Sequence, residues 1–132
     1  MKLSVLMAAV LLTATGAQAA DTLAKVAAPN KMTMAYRESS VPFSYLDGPG
    51  KPIGFSVELS NAIVAEVKKK LNKPNLEVAW MAVTSQNRIP LLSNGTIDVE
   101  CGSTTNNTAR AKDVAFAINH FYTGTRLLVK KT

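Results

Sequence analysis

Cysteine and histidine are almost missing from this chain of 132 residues: each occurs once, as Cys101 and His120. A lone cysteine excludes a disulfide within the chain. It also leaves too few soft ligands for a zinc cluster, which needs several thiolates or imidazoles at short spacing. No motif links Cys101 to His120, so no thiol–imidazole catalytic pair is indicated. Cys101 follows Ile97-Asp98-Val99-Glu100 and reads as a buried thiol at the end of a short strand. Acidic residues are scarce as well, 9 against 15 Lys and Arg, for a formal net charge of +6. A basic balance admits nucleic acid, an anionic surface or an acidic ligand. The densest basic run, Lys68-Lys69-Lys70, ends a helical pattern, where cations are favourable and stay solvated. It does not read as a nucleic-acid patch. No apolar run reaches the roughly 20 residues that cross a bilayer, and there is no internal repeat or low-complexity segment.

The apolar run that does exist lies at the start. Met1-Lys2 leads into Leu3–Leu12, and Ala17-Gln18-Ala19-Ala20-Asp21 closes the stretch. A positive start, a short apolar core and an Ala-x-Ala site describe a secretory signal peptide over residues 1–20, cleaved after Ala19 or Ala20. Export fits poorly with a nucleic-acid partner. Residues 21–132 then remain, about 112 in all with a charge near +5, which is one small domain at most.

Along that domain, 21–30 reads as a linker. Lys31–Tyr36 alternates, with Met32, Met34 and Tyr36 on one side, as a strand does. Aromatic pieces around Asp47-Gly48-Pro49-Gly50 read as a hairpin. Ser56 is placed to cap a helix. Val57, Leu59, Ile63, Val64, Val67 and Leu71 form its apolar stripe, and Asn72-Lys73-Pro74 stops it. Leu76–Val83 reads as a parallel strand, and 85–93 as a short helix ended by Asn94-Gly95. Ile97–Cys101 reads as a third strand. Thr108 is placed to cap a brief helix through Arg110, and Phe116–Phe121 and 125–129 read as extended pieces. Strand, helix, strand, helix, strand makes an α/β sheet with right-handed crossovers. The last residues, Lys130-Lys131-Thr132, follow without a closing helix, so the sequence reads as cut short.

In an α/β sheet, ligands bind where strand ends turn into helices. Three such loops carry hydroxyls and an arginine each. The first is Arg37-Glu38-Ser39-Ser40. The second is Thr84-Ser85-Gln86-Asn87-Arg88. The third is Gly102-Ser103-Thr104-Thr105-Asn106, with Arg110 beyond it. Arginine grips a carboxylate with two parallel hydrogen bonds. Three arginines at one edge suit a ligand with more than one carboxylate, although such loops also serve as ordinary turns and caps.

Ser40-Val41-Pro42-Phe43-Ser44-Tyr45, followed by Gly54-Phe55-Ser56-Val57-Glu58-Leu59, resembles the opening signature of the polar amino-acid binding proteins of ABC importers. Gly102-Ser103-Thr104-Thr105 with Arg110 resembles that family's α-carboxylate loop. Residues 37–44, 84–92 and 100–107 are similar to its glutamate/aspartate-specific members. The resemblance covers nearly all of 21–132. It implies a periplasmic-binding-protein-like lobe, a three-layer αβα sandwich, with only the N-terminal part of a two-lobed fold present. It implies that Ser103, Thr105 and Arg110 hold an α-carboxylate and that Arg37, Ser85 and Arg88 hold a side-chain carboxylate. Relatives with other ligands look aromatic at the places of Ser40 and Ser85. Small residues there leave the arginines room. The implied function is capture of L-glutamate or L-aspartate in the periplasm and delivery to the membrane permease of an ABC importer, without catalysis, cofactor, metal or nucleic acid.

Two other readings stay open. One is an exported dehydratase-like enzyme on the same fold. Glu38 and Glu100 are the only acids near the loops, and neither is paired as general acid–base work needs. The other is a remnant of an interrupted binding-protein gene.

Overall fold

The computed structural model describes residues 21–124 and 126–131. The expected signal peptide lies outside the described residues. The first departure from the sequence reading follows at once, because the expected linker holds a helix, α1, Thr22–Ala27. Asp21 caps it, its carboxylate accepting from the Leu23 N–H at 3.0 Å. So short a helix is not stable alone in water, and it shows no periodic stripe. Tertiary contacts hold it. Val26 is only 1% exposed, and Lys25 Nζ reaches Asp98 Oδ1 at 2.6 Å.

β1, Lys31–Tyr36, runs down the middle of a parallel sheet. Its neighbours are β5, Glu77–Ala82, and β6, Val99–Glu100, in the order β5-β1-β6. The register pairs Lys31 with Glu77 and Tyr36 with Ala82 on one side, and Ala35 with Glu100 on the other. Side chains alternate between the two faces of a strand. Met32 and Met34 therefore meet Val26 of α1 and Val64 of α2, Phe55–Lys70. Ala35 lies on the opposite face with Val83 and Ile97, against Leu91 and Leu92 of α3, Arg88–Ser93. Helix, sheet and helix make the three-layer αβα arrangement. Each fully buried aliphatic side chain contributes about 1.5–3 kcal/mol to it.

A small antiparallel sheet follows β1. β2, Ser39–Ser40, pairs with β3, Ser44–Leu46, which pairs with β4, Pro52–Ile53, around the expected Gly/Pro turn. Its backbone starts α2. The carbonyls of Pro42 and Phe43 accept from the N–H groups of Phe55 and Ser56 at 3.1 and 2.7 Å. Ser56 is therefore not the cap. It is buried inside the first turn, and its hydroxyl has no hydrogen-bond partner among the described residues. The N-cap is Gly54 at φ 116, where an added Cβ would sit 2.6 Å from the Phe43 carbonyl oxygen. The other end stops as expected. Asn72 turns left-handed at φ 51, its N–H donates to the Lys69 carbonyl, and the Lys73 N–H donates to that of Lys68. This is a Schellman closure.

Regular helix in α3 begins at Arg88, later than the expected 85. Thr84 and Asn87 close the turn before it. Asn87 Oδ1 accepts from the Thr84 N–H at 2.7 Å, and Thr84 Oγ1 accepts from the Asn87 N–H at 3.2 Å. The third strand is shorter than expected, although Ile97 and Cys101 at its flanks are buried. A 3-10 turn, Arg110–Lys112, follows. Asn107, not Thr108, serves its start, accepting from the Arg110 N–H at 2.9 Å. The expected extended pieces at 116–121 and 125–129 pair with no strand among the described residues. Instead the Phe121 ring packs 4.9 Å from that of Phe43.

Candidate functional site

From β1 the chain crosses to β5 on one side, then passes back over β1 to β6 on the other. Adjacent strands whose crossovers run in opposite directions open a crevice at their carboxyl ends. Here that crevice lies beyond β1 and β6. The loop after β1 carries Arg37 and Ser40. The loop after β6 carries Ser103 and Thr105.

The hairpin builds the first wall. Ser44, fully buried, accepts from the Arg37 N–H and donates to the Arg37 carbonyl, both at 2.8 Å. This fixes the backbone from which the Arg37 side chain leaves. Arg37 Nη1 then donates to Ser85 Oγ at 3.0 Å, bringing together two of the expected site residues from loops 48 positions apart. Ser103 Oγ lies 3.1 Å from Ser40 Oγ, joining the other pair of loops. Arg110 Nη1 donates to the Thr105 carbonyl at 3.0 Å, so the third arginine is folded back onto its own loop.

Arg88 is the buried one, with its side chain 5% exposed. Its partner is Glu100, itself 4% exposed, with Nη1 and Oε1 3.6 Å apart. The sequence reading leaves Glu100 without a partner, and the structure corrects this. The signal was present in principle: Glu100 sits at a strand position that faces α3, opposite Ala35. Thr104 Oγ1 donates to Glu100 Oε2 at 2.7 Å. Gly102 leaves the space that Oε1 fills, because an added Cβ would overlap that atom. Burial pushes the Arg88 guanidinium below the usual arginine range. Glu100 opposes that shift, while the charges of Arg37 and Arg110 add to it. All three guanidiniums therefore act in one electrostatic neighbourhood. Glu100 therefore offsets one of the three guanidinium charges.

A cleft of about 480 Å³ runs between the 100–106 loop and residues 115–123. It includes Ser103 and Thr105 in its wall, but not Arg37, Ser85, Arg88 or Arg110. Burial pushes the Cys101 thiol up, which makes it a packed group and not a nucleophile. His120 stands 5.7 Å from the Phe55 ring. Among the described residues no three His, Cys, Asp or Glu side chains converge as a metal site requires.

A helix–sheet–helix lobe with guanidiniums and hydroxyls gathered at its switch point defines a lobe of the solute-binding class. The chain belongs to the bacterial extracellular solute-binding proteins, family 3, whose sequence profile matches residues 32–132. It is 58% identical over 113 residues to the glutamate/aspartate import solute-binding protein of Escherichia coli, covering 86% of this chain and 37% of that one. It is 54% identical over 112 residues to the L-glutamate/L-aspartate-binding protein of Pseudomonas aeruginosa, covering 84% and 37%. The chain thus spans little more than a third of the length of these relatives. Among solved structures, the arginine-bound form of domain 1 from TmArgBP shares the fold, with a TM-score of 0.64 at 24% identity, covering 75% of this chain and 71% of that one.

Proposed function

We propose that residues 21–132 form the first lobe, in part, of a periplasmic protein that captures glutamate or aspartate for an ABC importer. The observation that carries this reading is the joining of three arginine-bearing loops at the carboxyl ends of the strands, through Arg37 with Ser85, Ser40 with Ser103 and Arg88 with Glu100. A dicarboxylic amino acid presents two anionic groups, which suit loops carrying three guanidiniums, one of them offset by Glu100. Arginine–carboxylate pairs are short, charge-assisted and geometrically specific. In this reading Ser103, Thr105 and Arg110 take the α-carboxylate, and Arg37, Ser85 and Arg88 take the side-chain carboxylate. The glutamate/aspartate-binding relatives above support the same ligands. Residues 1–20 act as the export leader, and the permease subunits of the importer are the partner. The role is binding without turnover: Glu100, the buried acid at the crevice, is engaged by Arg88 and Thr104 and is not free for acid–base work.

Isothermal titration of the mature gene product with glutamate, aspartate, glutamine and asparagine tests the reading. Glutamate and aspartate bind well above their amides if the side-chain assignment is right. Equal affinity for glutamate and glutamine refutes it.

A further inference from the structure

Glu100 is a buried charge that the ligand contacts proposed above do not use. We propose that Glu100 is a positioning residue, which holds the Arg88 guanidinium at the crevice by charge, in place for the ligand's side-chain carboxylate. The inference rests on the acidic amino-acid reading and deepens it.

Four observations carry it. First, both side chains are more than nine-tenths buried, at 5% and 4% exposure. A buried guanidinium without a counter-charge is strongly unfavourable, and Glu100 is the carboxylate that sits against this one. Second, Nη1 and Oε1 stand 3.6 Å apart, at the long limit of a hydrogen bond, so the pair is joined chiefly by charge. Arg88 Nε, Arg88 Nη1 and Glu100 Oε1 have no other hydrogen-bond partner among the described residues. Nη1 and Oε1 face each other across that gap, so Nε is the buried donor left over, and buried donors are normally satisfied. Third, the carboxylate is itself held. Thr104 Oγ1 grips Oε2 at 2.7 Å, and the bare Cα of Gly102 gives Oε1 its space. Fourth, Arg37 and Arg110 repel Arg88. Without Glu100, the guanidinium would be pushed away from the place where all three must meet one ligand.

A simple electrostatic role predicts the opposite outcome. If Glu100 only added negative potential, removing its charge would strengthen anion binding. The test uses the mature gene product, with L-glutamate and L-glutamine as probes. Glu100→Gln should lower glutamate affinity by about tenfold or more and glutamine affinity by much less. In the Glu100→Gln/Arg88→Ala double variant, the loss should nearly equal that of Arg88→Ala alone, because coupled residues are not additive. Glu100→Asp should recover part of the loss. Thr104→Val provides a second variant if Glu100→Gln does not fold. It frees Oε2 but keeps the charge, and should give a smaller loss, selective for glutamate, that again vanishes in an Arg88→Ala background. Unchanged or tighter glutamate binding by Glu100→Gln overturns the proposal, as do equal losses for both ligands or additive losses in the double variant. A wild type that does not prefer glutamate overturns the ligand reading and this inference with it. A wild type that prefers glutamate, alongside a neutral Glu100→Gln, overturns the positioning role alone.

Discussion

Arg88 and Arg110 differ in what their guanidiniums are already doing, and the difference sets what each substitution should cost. Arg110 donates to the Thr105 carbonyl within its own loop, where the α-carboxylate common to all amino acids is proposed to sit. Arg110→Ala should weaken every amino-acid ligand alike, and Arg88→Ala should weaken acidic ligands most, each by about 2–5 kcal/mol. Titration against paired acid and amide ligands checks both. Unchanged affinity in a folded Arg110→Ala protein would show that the α-carboxylate is held elsewhere. Ser56 offers a test of a different kind. Its buried hydroxyl lacks a partner among the described residues, so Ser56→Ala should leave stability unchanged or raise it by up to about 1 kcal/mol. A denaturant titration that shows a clear loss would reveal a partner for that hydroxyl. The Cys101 thiol is buried with its pKa raised. The folded state keeps the proton that the unfolded state gives up, so this group's contribution is intact below the unfolded thiol's pKa of about 8.5 and declines above it. Cys101 should also resist alkylation in the native protein and react once denaturant is added, as mass spectrometry would show.

At the scale of elements, the ends are what the chain closes most carefully. α2 starts on the carbonyls of Pro42 and Phe43 and stops on left-handed Asn72. A left-handed residue with a Cβ costs about 1–2 kcal/mol, from which asparagine is partly excused. Asn72→Ala should therefore destabilise by about 1 kcal/mol, while Asn72→Gly should hold or improve stability, both read from the denaturation midpoint. The stops were legible in the sequence because Asn-Lys-Pro and Asn-Gly are local chemistry. The starts were not, because backbone of the preceding hairpin displaced Ser56 from the cap, and Asn107 took the place expected for Thr108. α1 was invisible for the same kind of reason: Val26 has meaning only once Met32 and Val64 stand beside it.

For the molecule as a whole, the arrangement is lopsided. One sheet edge carries the site, while the segment that follows it lies largely exposed, with Ile118 at 93% and Leu127 and Leu128 close to fully exposed. Among the described residues, β5 and β6 each pair on one side only. Open strand edges and exposed apolar runs favour association. Residues 21–132 prepared alone should therefore self-associate at high concentration, which sedimentation velocity would detect. The Arg37–Ser85 contact is exposed, which leaves a ligand there partly hydrated, where arginine–carboxylate attraction is weak. Affinity of residues 21–132 alone for glutamate should be no better than roughly millimolar, near −4 kcal/mol. Micromolar binding by a monomer would refute both expectations.

The sequence by itself determined the α/β order, the strand Lys31–Tyr36 with Met32 and Met34 on one side, the stripe of α2 and the three loops that carry arginines. Each of these rests on spacing within a few residues, which the chain shows directly. Only the tertiary structure decided how the loops engage: Arg37 with Ser85, Ser40 with Ser103, and Arg88 with Glu100. Those partners lie tens of positions apart or on different elements. The parallel register that joins β1 to β6, not any local pattern, sets Glu100 beside Ala35 on the face toward α3. Spacing placed the arginines near one edge, but three-dimensional packing made one of them a buried, half-satisfied cation, because burial and pairing are properties of the assembled layers.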